Sequence, residues 1–121
     1  MMAEQEKELL LKDLCGRLPY GVNILYDNTE VREMGLGSLH DFMFDSAEVK
    51  PYLRPMSSMT KEEKAIYSNY KIVVRGLGIM FEYNLDFVTE WLLKHHFDYR
   101  GLIEKGLAIK APEGMYETKT E

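Results

Sequence analysis

Two adjacent histidines, His95 and His96, are the side chains in this 121-residue chain that most readily suggest metal or acid–base chemistry. A helix places neighbouring residues about 100° apart, whereas helical metal ligands are spaced three or four residues apart, as in H-E-x-x-H. The positions four residues earlier hold Trp91 and Leu92, which are not ligands. We therefore expect no metal and no cofactor. One imidazole should instead pack or cap a helix end, where the dipole favours partial protonation.

Cys15 is the second candidate for chemistry. As the only cysteine it cannot form an intrachain disulfide, and a lone thiol suits a reducing compartment. A nucleophilic cysteine would need a histidine base and a nearby activating charge, and no such cluster flanks Cys15. Because Cys15 continues the apolar face of a predicted helix, we expect it to be buried and inert.

Three glycine patterns resemble phosphate-binding loops without meeting their requirements. The segments Gly35-Leu-Gly37 and Gly76-Leu-Gly78 lack the third glycine of the dinucleotide fingerprint. The pair at 101 and 106 is followed by Leu107 rather than by the Lys-Ser/Thr of a P-loop. We expect these glycines to end helices or form turns, and we do not expect an enzyme.

The segment that positions these residues is a proline-interrupted connector. Pro51 and Pro55 each fix their own φ and push the preceding residue out of the helical region, so the chain must be extended. Thr60 and Glu63 then form the Thr-x-x-Glu capping box that begins a helix. We expect one domain over residues 1–121, with a sheet-rich part at about 17–55 and a helical part at about 60–106.

The same connector supplies the predicted partner-binding site. Its two prolines hold Tyr52, Leu53, Arg54 and Met56 in an extended path, which lowers the entropy lost when a partner docks. Methionine adapts to varied partners, and irregular connectors often carry function. We predict that these four residues contact a protein partner. The alternative is that Leu53 and Met56 only cover the sheet.

Hydrophobic spacing and turn residues predict the elements on either side of this connector. The N-terminal half should contain a helix over 4–15 closed by Gly16, strands over 20–26 and 29–34 joined by Asp27-Asn28, and short apolar strands over 40–44 and 49–53. The C-terminal half should begin with a helix from Thr60, in which residues 71–75 are either helix or strand. A strand or extended connector should follow over 79–83, and then a helix from Asn84 to about His96. A short helix capped by Asp98 and closed by Gly106 should come last. The predicted class is α+β, with an N-terminal helix, a small antiparallel sheet and two to three C-terminal helices.

Charge and hydropathy limit the partners. The formal charge is −5, and no basic stripe is visible, so the chain lacks the attraction to phosphate that supplies most non-specific nucleic-acid binding. The N-terminus is acidic and its apolar run is short for a signal peptide, and no apolar run is long enough to span a membrane. We expect a cytoplasmic protein that binds neither membrane nor nucleic acid.

Three blocks carry a resemblance to a known family: residues 8–22, residues 50–60, and residues 94–108 together with 111–116. They resemble a family of small uncharacterised proteins of anaerobic gut bacteria, often encoded near phage-derived genes. The resemblance implies a phage-derived origin and carries over no activity or functional residue, and residues 23–48 depart from the family's usual middle segment. We expect a non-enzymatic accessory or protein-interaction module. The alternative is a nucleic-acid-associated regulator that uses a C-terminal helix.

Overall fold

A computed structural model describes residues 3–77 and 81–116, with side chains outside 70–77 and 81–87. The described residues form an α+β fold, and the predicted class, with its N-terminal helix and its helical C-terminal half, is confirmed. The elements in chain order are α1 Glu4–Arg17, β1 Asn23–Tyr26, β2 Glu30–Glu33, α2 Leu36–Met43, β3 Val49–Pro55, α3 Lys61–Leu77, α4 Phe81–Lys94, β4 Phe97–Asp98 and β5 Ile109–Lys110.

The sheet is built on β3. β1 pairs antiparallel with β2, and the predicted turn at Asp27 and Asn28 is confirmed, with φ of 52° and 60°. Asp and Asn tolerate this left-handed backbone, which matches the twist of a hairpin. β1 also pairs antiparallel with the start of β3, where Ile24 lies opposite Pro51.

The sheet is mixed rather than purely antiparallel. β4 pairs with Arg54 and Pro55 of β3, and β5 pairs with Tyr52 and Leu53, both in parallel. The chain reaches β4 only after passing through α3 and α4, and a long crossover of this kind is what parallel pairing requires.

One predicted strand is wrong, and one segment predicted to be extended, as a strand or a connector, is partly helical. Residues 40–44 belong largely to α2, because Ser38, Leu39 and Phe42 point into the core at helical spacing. A five-residue apolar run does not distinguish helix from strand. Of the extended piece predicted over 79–83, residues 81–83 are helical and the rest lies outside the described residues. The segment 71–75, for which the sequence allowed either helix or strand, is helix.

Three predicted helix ends also differ. Gly16 lies inside α1 rather than closing it, and a Cβ there would lie 3.1 Å from Cδ1 of Leu93, so the glycine allows α1 and α4 to approach. Asn84 lies inside α4, which begins at Phe81. Asp98 does accept hydrogen bonds from the N–H groups of Leu102 and Ile103, but the segment that follows is a series of turns.

The main core lies between α1, α2 and the sheet, and residues from 102–108 complete it. A buried ion pair fixes its edge: Arg17 donates to Asp13 at 2.6 Å and to the Phe97 carbonyl at 2.7 Å. Arg100 adds a further bond to Asp13 at 3.0 Å. A second cluster is formed by Met59, Val88, Leu92 and Phe97; two of these residues belong to α4, and Tyr67 of α3 packs against the cluster.

Candidate interaction surface

The residues predicted to contact a partner lie mostly in the interior. Tyr52, Leu53 and Arg54 are at most 9% exposed, whereas Met56 is half-buried beside the second cluster. The Arg54 guanidinium donates to both carboxylate oxygens of Glu63, at 2.6 and 2.8 Å, and lies 4.2 Å from the ring centre of Phe97. Partner contact by these four residues stays a prediction, and the structure gives three of them a role in packing.

The predicted capping box explains why Arg54 is held inside. The Thr60 hydroxyl accepts the Glu63 N–H at 3.2 Å, and the Glu63 carboxylate accepts the Thr60 N–H at 2.8 Å, which confirms the box. Burial alone would raise the pKa of Glu63, but the hydrogen bonds from Arg54 and Thr60 together with the charge of Arg54 lower it. The carboxylate therefore stays ionised and ties β3 to the start of α3.

A polar cleft surrounds the two histidines. If the antiparallel register of β1 and β3 continued by one residue, Asn23 would pair with Tyr52. The Tyr116 hydroxyl lies between these two residues and bonds to the backbone of both. It accepts the Asn23 N–H at 2.8 Å and donates to the Tyr52 carbonyl at 2.7 Å. The His96 ring stacks on Tyr116 with centroids 3.8 Å apart. This arrangement anchors the C-terminal segment against the sheet.

Burial in the cleft favours the neutral forms of Tyr116 and His96. Burial raises the pKa of Tyr116 to about 12. Burial, assisted by the charge of Arg17, lowers the pKa of His96 to about 4, which favours the neutral ring. Its stacking on Tyr116 is the packing role that the sequence predicted for one of the two histidines. The cleft encloses about 300 Å³, and its lining includes Glu33 and Lys94 but no serine, threonine or cysteine. Its described lining therefore lacks the hydroxyl or thiol of a serine-, threonine- or cysteine-type nucleophile.

Cys15 is exposed, which corrects the expectation that it is buried. The inward face of α1 consists of Leu10, Asp13, Leu14 and Arg17. The polar Asp13–Arg17 pair occupies two of these core positions, so the buried face of α1 is not the purely apolar face that the sequence suggested. Cys15 therefore faces outward. Across the described part of the chain, no group of three His, Cys, Asp or Glu side chains could hold a metal ion. No helix there is long and apolar enough to cross a membrane.

The described surface instead has an apolar helix face that the sequence reasoning missed. Leu36 is 74% exposed, Met43 45% and Phe44 66%. With His40, whose ring lies 4.7 Å from that of Phe44, they occupy positions i, i+4, i+7 and i+8 along and just beyond α2. We call these four residues the outer face of α2. Their helical spacing was the available signal, and it was hidden by reading 40–44 as a strand.

A charged depression lies at the C-terminal end of this helix, and none of the four outer-face residues is in its lining. The depression, of about 790 Å³, has Phe42 and Val49 in its lining, together with acidic side chains and two lysines. Its charged lining residues are Glu4, Lys7, Asp27, Asp45, Glu48 and Lys50. On α2 itself, Asp41 accepts a hydrogen bond from the Tyr26 hydroxyl at 2.6 Å, and this bond is the main reason that the pKa of Tyr26 is raised.

Comparisons with protein-family models, with curated proteins and with solved structures gave no match. The function of this chain is therefore inferred from its own geometry. Within that geometry the polar cleft is bonded internally, whereas the outer face of α2 is directed to solvent.

Proposed function

We propose that the protein is a non-enzymatic interaction module, cytoplasmic and phage-derived, that binds a protein partner through the outer face of α2. The observation that carries this proposal is the exposure of Leu36, Met43 and Phe44 on one side of a helix whose other side already packs on the core. Single exposed apolar residues are common, but large apolar side chains grouped on one face are typical of protein-binding surfaces.

The polar cleft gives less support for an enzyme. The Tyr116 hydroxyl is bonded to two backbone groups, and Arg54 is paired with Glu63. The unbonded Nδ1 of His96 is buried, so a ligand in the cleft would not reach it. The Tyr116 hydroxyl stabilises the junction of β1, β3 and the C-terminal segment, and the Arg54–Glu63 pair ties β3 to α3.

The alternative of a nucleic-acid-associated regulator rests on basic residues of the C-terminal half. Of these, Arg100 already donates to Asp13 and lies over the ring of Tyr99. The side chains of Lys71 and Arg75 lie outside the described residues. We therefore rank this alternative below the interaction module.

Site-specific photo-cross-linking tests the proposal in cells that naturally carry the chain. A benzophenone amino acid at Phe44 should give a discrete adduct with one protein, and Leu36→Ser should abolish that adduct. The matched control is the same probe at Ile66, an apolar residue of α3 that is 42% exposed. Absence of an adduct at 44, or identical adducts from both positions, would contradict the proposal.

A further inference from the structure

The charge around α2 indicates what kind of partner its outer face would accept. We propose that this face binds a cationic amphipathic helix, one whose apolar stripe is bordered by Lys and Arg. The inference rests on the proposed function and adds the chemistry of the partner.

The first support is the charge of the segment that carries α2. Residues 27–48 contain one arginine, Arg32, and six carboxylates. The carboxylates are Asp27, Glu30, Glu33, Asp41, Asp45 and Glu48. This segment alone therefore carries a formal charge of −5, as large as that of the whole chain.

Internal pairing removes only part of this charge. Lys7 pairs with Asp45, and Arg32 pairs with Glu30. Asp41 and Glu48 accept hydrogen bonds from the neutral Tyr26 hydroxyl and Asn28 amide, and Oδ1 of Asp41 also lies 3.7 Å from Nδ1 of His40. Lys7 also donates to the Met43 carbonyl at 3.2 Å, and Lys50 lies in the lining of the depression, so the surroundings are acidic in net charge rather than uniformly so. An apolar stripe beside a surface of net negative charge favours a partner of positive charge, both in the rate of encounter and in selectivity.

The second support is the geometry of the exposed face. The backbone along the side of a helix is bonded internally, so α2 offers side chains and no strand edge to a partner. Leu36, Met43 and Phe44 form a ridge about two turns long, and such a ridge packs most closely into the groove of another helix.

Charge also argues against the other occupants of this face. A second copy of the chain docked symmetrically through α2 would bring two acidic surfaces together. Nucleic acid and anionic lipid carry the same sign as residues 27–48 and would be repelled. A basic protein segment is the occupant that gains from both the apolar face and the surrounding carboxylates.

The test uses four dye-labelled 18-residue peptides and fluorescence anisotropy at about 150 mM salt, where distant charges are screened. A Leu/Lys amphipathic helix is the probe, and Leu/Glu and Leu/Gln helices of the same pattern vary only the charge. A Lys/Ser peptide keeps the positive charge without an apolar stripe. We expect the Leu/Lys peptide to bind about tenfold or more tightly than each of the others, since a single lost anchor or charge pair commonly costs that factor.

Variants assign the binding to α2. Leu36→Ser with Phe44→Ser should weaken binding of the Leu/Lys peptide about tenfold or more. The triple change Asp27→Asn, Asp41→Asn, Glu48→Gln should weaken it and flatten its salt dependence. The matched control removes three exposed carboxylates elsewhere, at Glu62, Glu104 and Glu113, and should leave binding close to wild type.

The outcomes distinguish the claim that the outer face of α2 binds a partner from the claim that this partner is a cationic helix. Equal binding of Leu/Glu or Leu/Gln peptide that still depends on Leu36 and Phe44 would overturn the cationic partner and support the α2 surface. Equal weakening by the control triple would overturn the local charge argument. If no peptide binding depends on α2 while the cross-link at Phe44 persists, the cationic helix is wrong and the proposed function stands; loss of both overturns both.

Discussion

Replacing Arg54 with Met should destabilise the fold by about 3 kcal/mol at pH 7, because removing one partner of a buried ion pair leaves the other charge uncompensated. Methionine keeps an apolar stem over Phe97 but removes both hydrogen bonds to Glu63. The Glu63 side chain is 9% exposed, so water cannot replace Arg54. The matched control is Lys7→Met, which breaks the ion pair with the largely exposed Asp45 and should cost less than about 1 kcal/mol.

The stability lost in Arg54→Met should depend on pH, because the charge of Glu63 does. The pKa of Glu63 is lowered in the folded protein, so its contribution is fully present above the unfolded value and is lost as pH falls through the folded value. In Arg54→Met the opposing effect of burial dominates, and the pKa of Glu63 should rise. Because the unfolded chains of wild type and variant share the same Glu63 pKa, the stability difference should shrink as pH falls from the raised folded pKa of the variant toward the lowered folded pKa of wild type.

Urea denaturation followed by circular dichroism measures the free energy of unfolding of wild type and Arg54→Met, and comparison of pH 7 with pH 3 measures how their difference changes with pH. A double-mutant cycle with Glu63→Gln should show a coupling of about 1.5 kcal/mol or more between the two side chains, within the range found for contacting residues. A loss below about 1 kcal/mol for Arg54→Met at pH 7, or a difference that grows at low pH, would refute the reasoning that Arg54 and Glu63 form a stabilising interior pair.

Three further predictions concern the same half of the molecule. Thr60→Ala should cost about 1 kcal/mol in denaturant melts by removing the cap of the Glu63 N–H, and no loss would contradict the capping box. Tyr116→Phe should cost about 1–3 kcal/mol, since two backbone groups lose their partner, and unchanged stability would mean that water replaces the hydroxyl. Because the pKa of His96 is about 4 when folded and 6.5 as the reference, the unfolded chain gains the proton first as pH falls. With solvent screening, His96 should therefore make wild type less stable at pH 5 than at pH 7 by about 1 kcal/mol. His96→Asn, in which Asn tolerates the left-handed φ of 65° at this position, should lose less, and equal slopes would refute this.

Local signals in the sequence predicted the features that depend on a few neighbouring residues. The capping box at Thr60 and Glu63 and the hairpin turn at Asp27-Asn28 are each fixed by backbone chemistry within four residues. The extended path imposed by Pro51 and Pro55 is likewise present, as β3. These features were predictable because their energies do not depend on distant parts of the chain.

Features that depend on distant contacts were not predictable in this way. Tyr116 bonds to Asn23 across a separation of 93 residues, and Arg54 is buried because Phe97 and Glu63 meet it in three dimensions. The exposed face of α2 was missed for a different reason. Residues 40–44 were interpreted as a strand, because a five-residue apolar run does not distinguish a helix from a strand.

Amide hydrogen exchange of the chain, alone and bound to the partner identified by cross-linking, tests the central claim most directly. Binding through the outer face of α2 predicts slowed exchange for the amides of residues 36–44, with little change across residues 50–59. Protection confined to residues 50–59 would instead favour the connector around Tyr52, Leu53, Arg54 and Met56. That result, with residues 36–44 unaffected, would contradict partner binding through α2.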